Sequence, residues 1–216
     1  MVFKACLFDM NGVLVDDEIL QEQAFRLTLG SYGLDLSSGD YKKYFIGKTD
    51  KNGFETYFAN RILPDSIERL INKKGEFYKD VVQNKLRGYN GVEQFIVTLW
   101  EKGLVLAVVT SSTRAEADII LNFLKLQKYF STIIAAENVK NGKPDPEGYL
   151  KGAEALQVSP SKCMVVEDAP SGLQAAKSAG MYSVGVTNTH SKYELKDADI
   201  ITHELSTDLA HQLAGL

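Results

Sequence analysis

The chain has 216 residues, 44% of them apolar and 24% charged, and 24 basic against 28 acidic side chains leave a formal net charge of −4. That is enough apolar material for one large domain, or one domain carrying an insertion, and it lacks the basic face a general nucleic-acid binder needs. The longest apolar run, Leu104 to Val109, is far below the roughly 20 residues that span a bilayer, so no membrane partner is expected.

In chain order, the first strand-like run is Ala5–Phe8. Asp9 interrupts the N-terminal apolar stretch before a secretory leader could form. Cys6 and the later Cys163 both fall in strand-like runs, where a thiol is a small buried hydrophobe. Two cysteines so placed suit a reducing compartment, and a cytoplasmic location is expected. Almost a hundred residues then pass before the next strand, and they read as helices only: Glu18–Gly30, Asp50–Arg61, and a longer one marked by Ile67, Leu70, Ile71, Phe77, Tyr78, Val81 and Val82. A crossover needs only a dozen or more residues, so residues 17–86 are expected to form a helical cap domain, with 1–16 and 87–216 forming the core domain. The cap aromatics, Phe25, Tyr32, Tyr41, Tyr44, Phe45, Phe54, Tyr57 and Phe58, are expected mostly as its core.

Val92, Phe95, Ile96, Leu99 and Trp100 mark the next helix, ended by Gly103. Strands follow at Val105–Val109, Thr132–Ala135, Cys163–Val166 and Tyr182–Val186. Between them lie a helical stripe at Ala117, Ile120, Leu121 and Leu124, a helix start at Asp145-Pro146, and a helix closing at Gly180. Nearly continuous apolar strands alternating with helices predict a doubly wound α/β core around a parallel sheet.

The polar residues gather at the strand ends: Asp9 after the first, Thr110-Ser111-Ser112 after the second, Gly142-Lys143-Pro144 in the loop after the third, and Glu167-Asp168 at the fourth. In an open parallel sheet these ends border the ligand crevice. Taken singly, Asp9 reads as a turn residue, Thr110 as a strand terminator and Lys143 as a solvated lysine. Together they place three carboxylates in one crevice, where they repel unless a cation sits among them. An all-oxygen set without a His or Cys cluster suits Mg²⁺. Lysine, hydroxyls and backbone N–H groups beside it make a phosphate site. A carboxylate there can attack phosphorus and become an aspartyl phosphate.

Phe8-Asp9-Met10-Asn11-Gly12-Val13-Leu14-Val15-Asp16, Val108–Ser112, Gly142–Pro146 and Val165–Gly172 resemble, in order, the four motifs of the haloacid dehalogenase superfamily. The helical insertion resembles the cap of its beta-phosphoglucomutase-like phosphatases. The resemblance implies a phosphatase acting on a small phosphorylated metabolite, a sugar phosphate or a phosphoglycolate-like acid, as a monomer. It implies that Asp9 is nucleophile and metal ligand, that Asn11 meets Mg²⁺ through its main-chain carbonyl, and that Glu167 and Asp168 complete the metal site. Thr110, Ser111 and Lys143 would hold the phosphoryl group.

Asn11 departs from the pattern, which has aspartate there as general acid and then base. An amide keeps the carbonyl but exchanges no proton near neutral pH, and that function is worth ~10²–10⁴-fold in rate. Three explanations stay open: a substitution that traps an intermediate, a natural variant using another group with Asp17 nearest in sequence, or a poor catalyst that binds phosphorylated ligands. In the cap, Gly47, Lys48, Thr49 and Asp50 either dip toward the crevice or form a plain turn and helix cap, and Lys79 either faces the crevice or is solvated. Gln21 stands where the phosphoglucomutases carry histidine, which favours a phosphatase over a mutase. His190, His203 and His211 read as surface or loop residues.

Overall fold

The computed structural model describes residues 2–83 and 85–215. Six parallel strands, β1 (Ala5–Phe8), β2 (Val105–Val109), β3 (Phe130–Ile134), β4 (Cys163–Glu167), β5 (Tyr182–Val186) and β6 (Ile200–Thr202), form one sheet in the order β3-β2-β1-β4-β5-β6. The order reverses at β1, with β2 on one side and β4 on the other, and this switch point is where open sheets bind ligands.

The strands are buried on both faces, which explains their unbroken apolar runs. Cys6, Phe8, Leu106, Val108, Met164 and Val166 point to one side. They meet α5 (Val92–Glu101), α6 (Arg114–Leu124) and α9 (Thr207–Ala214). Ala5, Leu7, Ala107, Val109, Cys163 and Val165 point to the other and meet α7 (Glu147–Ala155) and α8 (Pro170–Ser178). Both cysteines are buried and free. Gly152 of α7 lies so close to the sheet that a Cβ would stand 2.6 Å from Leu7.

Between β1 and β2 run α1 (Glu18–Gly30), α2 (Ser38–Tyr44), α3 (Asp50–Phe58) and α4 (Ile67–Val81). They enclose a separate cluster of Phe25, Leu29, Tyr41, Phe45, Phe54, Tyr57, Phe58 and Leu70. The rings of Tyr41, Phe54 and Tyr57 pack tilted, stacked or edge-on around Phe25 and Phe45, whose centroids are 4.3 Å apart. Ser37, Thr49 and Ser66 cap α2, α3 and α4 through their hydroxyls. Asp17 stands at the N-cap position of α1 but gives the helix no side-chain bond, because its carboxylate is engaged elsewhere.

Several elements differ from expectation. Strand β6 and helices α2 and α9 were not anticipated; β6 is three residues long and half-buried, too short to register as an apolar run. Helix α3 stops at Phe58, not Arg61. Trp100, placed on the buried stripe of α5, is 52% exposed and leans edge-on against Tyr129. Pro146 precedes rather than opens α7, whose first free N–H, that of Glu147, is met by Asp145 at 2.9 Å.

Candidate active site

A cavity of about 290 Å³ lies over the switch point, lined on its floor by Asp9, Asn11, Ser111, Lys143, Glu167 and Asp168. Tight turning after β1 builds the floor. The Met10 carbonyl accepts from the N–H groups of Val13, Leu14 and Val15, and Gly12 N–H donates to Val15. Gly12 has φ +82, and a Cβ there would stand 2.1 Å from Asp168 Oδ2. Only glycine permits both that backbone and that approach. Gly12→Ala is therefore expected to cost about 1–3 kcal/mol of backbone strain, and to weaken Mg²⁺ binding by displacing Asp168. Denaturant unfolding and a metal titration check this; unchanged stability and metal affinity would contradict it.

Lys143 reaches in from the loop after β3. Its ammonium donates to Asp9 Oδ1, to Glu167 Oε1 at 2.6 Å and to the Val109 carbonyl at 3.3 Å. Burial opposes its charge, but the Asp9 and Glu167 carboxylates outweigh burial and raise its pKa. Glu167 is held on all sides. Oε1 also accepts from Tyr149 Oη at 2.7 Å, and Oε2 from the N–H groups of Asp168 and Ala169 at 3.0 and 3.2 Å. The start of α8 closes over it; a Cβ on Gly172 would sit 1.7 Å from Oε1. Glu167 thus anchors the lysine and the strand end.

One ammonium faces three carboxylates. Ligand oxygens of Asp9, Glu167 and Asp168 lie within 4.8 Å of one another. Burial, countered by Lys143 and reinforced by Glu167, pushes the Asp9 carboxyl up to about 7. Burial and the charges of Glu167 and Asp9 push Asp168 well above the carboxylate range. This is an excess of buried negative charge that a hard divalent cation would relieve, and the donors are all oxygen. The residues present fit Mg²⁺.

Asn11 occupies a hydrogen-bonded slot. Its Nδ2 donates to both oxygens of Asp17 at 2.9 Å, and its Oδ1 accepts from Ser112 Oγ at 2.8 Å and Thr110 Oγ1 at 3.4 Å. Asp17, 2% exposed, accepts also from Gln21 Nε2 at 3.0 Å and Tyr78 Oη at 2.6 Å. Burial raises its pKa against these three donors. Thr110 is buried and braces the turn by accepting from Ser112 N–H at 3.0 Å.

Gly47, Lys48 and Asp50 line the roof of the cavity with Phe25, Tyr41 and Phe45. Gly47 has φ +71 and lies within 3.9 Å of Ser171 as a Cβ would measure it. Thr49 caps α3, and its methyl would meet a Cβ on Gly142 at 3.3 Å. Lys79 is exposed and lies outside the cavity lining. The α4 lysine that is buried is Lys74, on the apolar stripe with Leu70, Tyr78 and Val81. Its ammonium ties α4 to α6, 2.8 Å from Glu116, and to α3, 3.2 Å from Asp50. Two carboxylates share that one charge, and burial lifts Glu116 to about 7. Sequence reasoning missed Ser112 as a partner of Asn11. It also missed His190, which lines the cavity with Thr189. Thr189 donates to Asp168 Oδ2 and sits 2.9 Å from His190 Nδ1.

The family model for haloacid dehalogenase-like hydrolases matches residues 6–186. A phosphorylated carbohydrates phosphatase of Thermotoga maritima is 38% identical over 178 residues, 82% of each chain. The fructose-1-phosphate phosphatase YqaB of Escherichia coli is 33% identical over 194 residues, 85% of this chain and 96% of that one. Among solved structures, CbbY from Rhodobacter sphaeroides in complex with phosphate has a TM-score of 0.87 at 23% identity, covering 95% of this chain and 96% of that one, a likeness of fold.

Proposed function

The chain belongs to the haloacid dehalogenase-like hydrolase family, and from that premise we propose that it is a Mg²⁺-dependent phosphatase of small phosphorylated metabolites working through a phosphorylated Asp9. The observation that carries the reading is the buried group of Asp9, Lys143, Glu167 and Asp168 on the floor of one cavity. The names of the relatives, a phosphorylated carbohydrates phosphatase and a fructose-1-phosphate phosphatase, favour a sugar phosphate.

In this reading Asp9 attacks phosphorus with the oxygen that Lys143 does not hold. Lys143, anchored by Glu167, offsets charge on the phosphoryl oxygens, and Thr110 and Ser111 orient them. Asp9, Asp168, the Asn11 carbonyl and Glu167 would hold Mg²⁺, which would supply Lewis-acid stabilisation of those oxygens. Residues 17–86 act as a cap domain that excludes bulk water and meets the leaving group through Gly47, Lys48 and Asp50, while Thr49 caps α3 outside the cavity lining. Asn11 impairs proton transfer. Its saturated hydrogen bonding also favours a second reading, a protein that binds phosphorylated ligands without turning them over.

The test is Mg²⁺-dependent phosphate release from a panel of sugar phosphates and phosphoglycolate, run on this protein and on Asn11→Asp. The aspartate form is expected to turn over ~10²–10⁴-fold faster on alkyl phosphates. Silence of both forms, with a phosphorylated ligand still bound, would overturn the enzyme reading in favour of the second. Interconversion of sugar phosphates without release would indicate a mutase.

A further inference from the structure

An amide at position 11 is what the surrounding network is built to hold. Asp17 only accepts, so it demands the NH₂ side of the residue facing it, and the hydroxyls of Ser112 and Thr110 supply donors to the other side. A carboxylate in that place would set two acidic groups at hydrogen-bond distance in a buried site. Asn11 and Asp17 are therefore a matched pair.

The pairing has a chemical consequence. Neither end of Asn11 carries a proton it can give up. Both oxygens of Asp17 are taken up by Asn11, Gln21 and Tyr78. Lys143 is committed to Asp9, Glu167 and the Val109 carbonyl. No group bonded to Asn11, Asp17 or Asp9 is then free to protonate the oxygen that leaves phosphorus, and the other proton carriers of the cavity wall, Glu18 and His190 among them, stand outside this network.

We infer that this site selects its substrates by leaving group: it cleaves phosphoryl donors whose oxygen departs as a stable anion, namely acyl phosphates, phosphoanhydrides and aryl phosphates. Among phosphorylated carbohydrates the same rule favours a phosphate on the more acidic anomeric hydroxyl over one on a primary alcohol. The inference rests on the phosphatase reading. In the first step a bond forms between Asp9 Oδ and phosphorus, and the bond from phosphorus to the leaving oxygen breaks. The electron pair goes with a carboxylate, phosphate or phenolate, and no proton moves. In the second step water adds to phosphorus, the Asp9–phosphorus bond breaks, the carboxylate is recovered, and both protons of the water depart on the product as dihydrogen phosphate. An alkoxide would need a proton in the first step, and that is the step the amide withholds.

The experiment follows phosphoenzyme formation by rapid acid quench, with Mg²⁺ present, from aryl phosphates of graded leaving-group acidity, acetyl phosphate and a primary alkyl phosphate. The unsubstituted protein is expected to show a steep fall in rate as the leaving group becomes less acidic, and Asn11→Asp a shallow one. The variant should gain ~10²–10⁴-fold on the alkyl phosphate and less than about tenfold on acetyl phosphate, where no proton is needed. Because Asn11→Asp faces Asp17, the exchanged pair Asn11→Asp with Asp17→Asn is run beside it; it keeps the amide–carboxylate bond and should show the same shallow dependence. Phosphoenzyme that forms equally fast across the series in the unsubstituted protein would overturn this inference alone, with His190 the next proton donor to replace. Absence of phosphoenzyme from every donor would overturn it together with the phosphatase reading.

Discussion

Replacing Asp9 with asparagine is expected to abolish phosphate release, by at least about 10⁴-fold, while leaving the fold intact or slightly firmer. The amide cannot accept the phosphoryl group, so the covalent route closes. Stability moves the other way because Asp9 is one of three buried carboxylates served by one ammonium. Burial already holds its pKa up to about 7, so its ionised form opposes folding in the metal-free protein. Removing that charge relieves Asp168 and Glu167, and Lys143 keeps its bond to Glu167 at 2.6 Å. Denaturant unfolding without metal should give a midpoint no lower than that of the unsubstituted protein. A large loss of stability would mean that Asp9 is a structural residue.

Lys143→Met is expected to lose both properties. Removing one partner from a buried ion pair costs about 3–5 kcal/mol, and here it strands Asp9 and Glu167 together. The lysine side chain is 11% exposed, so little solvent screening softens the loss. Phosphate release should fall ~10²–10³-fold, the scale of losing one oxyanion donor. The sign of the pH dependence follows from the carboxyls. Without the ammonium, the folded-state pKa of Asp9 rises further above its ordinary value of 3.8. The folded state then binds protons more tightly than the unfolded one. Stability is retained at low pH and lost as pH rises; the unsubstituted protein loses it in parallel between about pH 4 and pH 7, so the gap widens above about pH 7, where the variant alone goes on losing stability. Added Mg²⁺ should narrow it. A variant within about 1 kcal/mol of the unsubstituted protein at pH 7 would show that Lys143 is not the counter-charge of this cluster.

The core of the site was legible because each of its residues follows an unbroken apolar strand. A parallel sheet brings such strand ends together whatever lies between them. Thus Asp9, Thr110, Lys143 and Asp168 converge although as many as 159 positions separate them in the sequence, 168 minus 9. The cap is different. Lys74 and Lys79 are both lysines on α4, and five residues turn roughly 140° around a helix. Composition alone does not say which one faces inward. The stripe of Leu70, Tyr78 and Val81 does, since Lys74 shares it, and a lysine on an apolar stripe signals a buried ion pair. Ser112 was passed over beside Thr110 and Ser111 because hydroxyls in a row look alike until the turn fixes which one reaches Asn11. Asp17 stands out in the sequence only as a candidate acid near Asn11, and only the fold shows Gln21 and Tyr78 converging on it. His190 belongs to a loop beyond β5, with no periodicity to place it over the cavity.

In the proposed reaction a phosphoryl group passes to Asp9. Its most direct test is to mix the protein with Mg²⁺ and acetyl phosphate, quench in acid, and locate any added phosphoryl mass by peptide mass spectrometry. The label is expected on the peptide carrying Asp9, dependent on Mg²⁺ and absent from Asp9→Asn. Phosphate released with no label at any quench time, or a label that persists in Asp9→Asn, would contradict it.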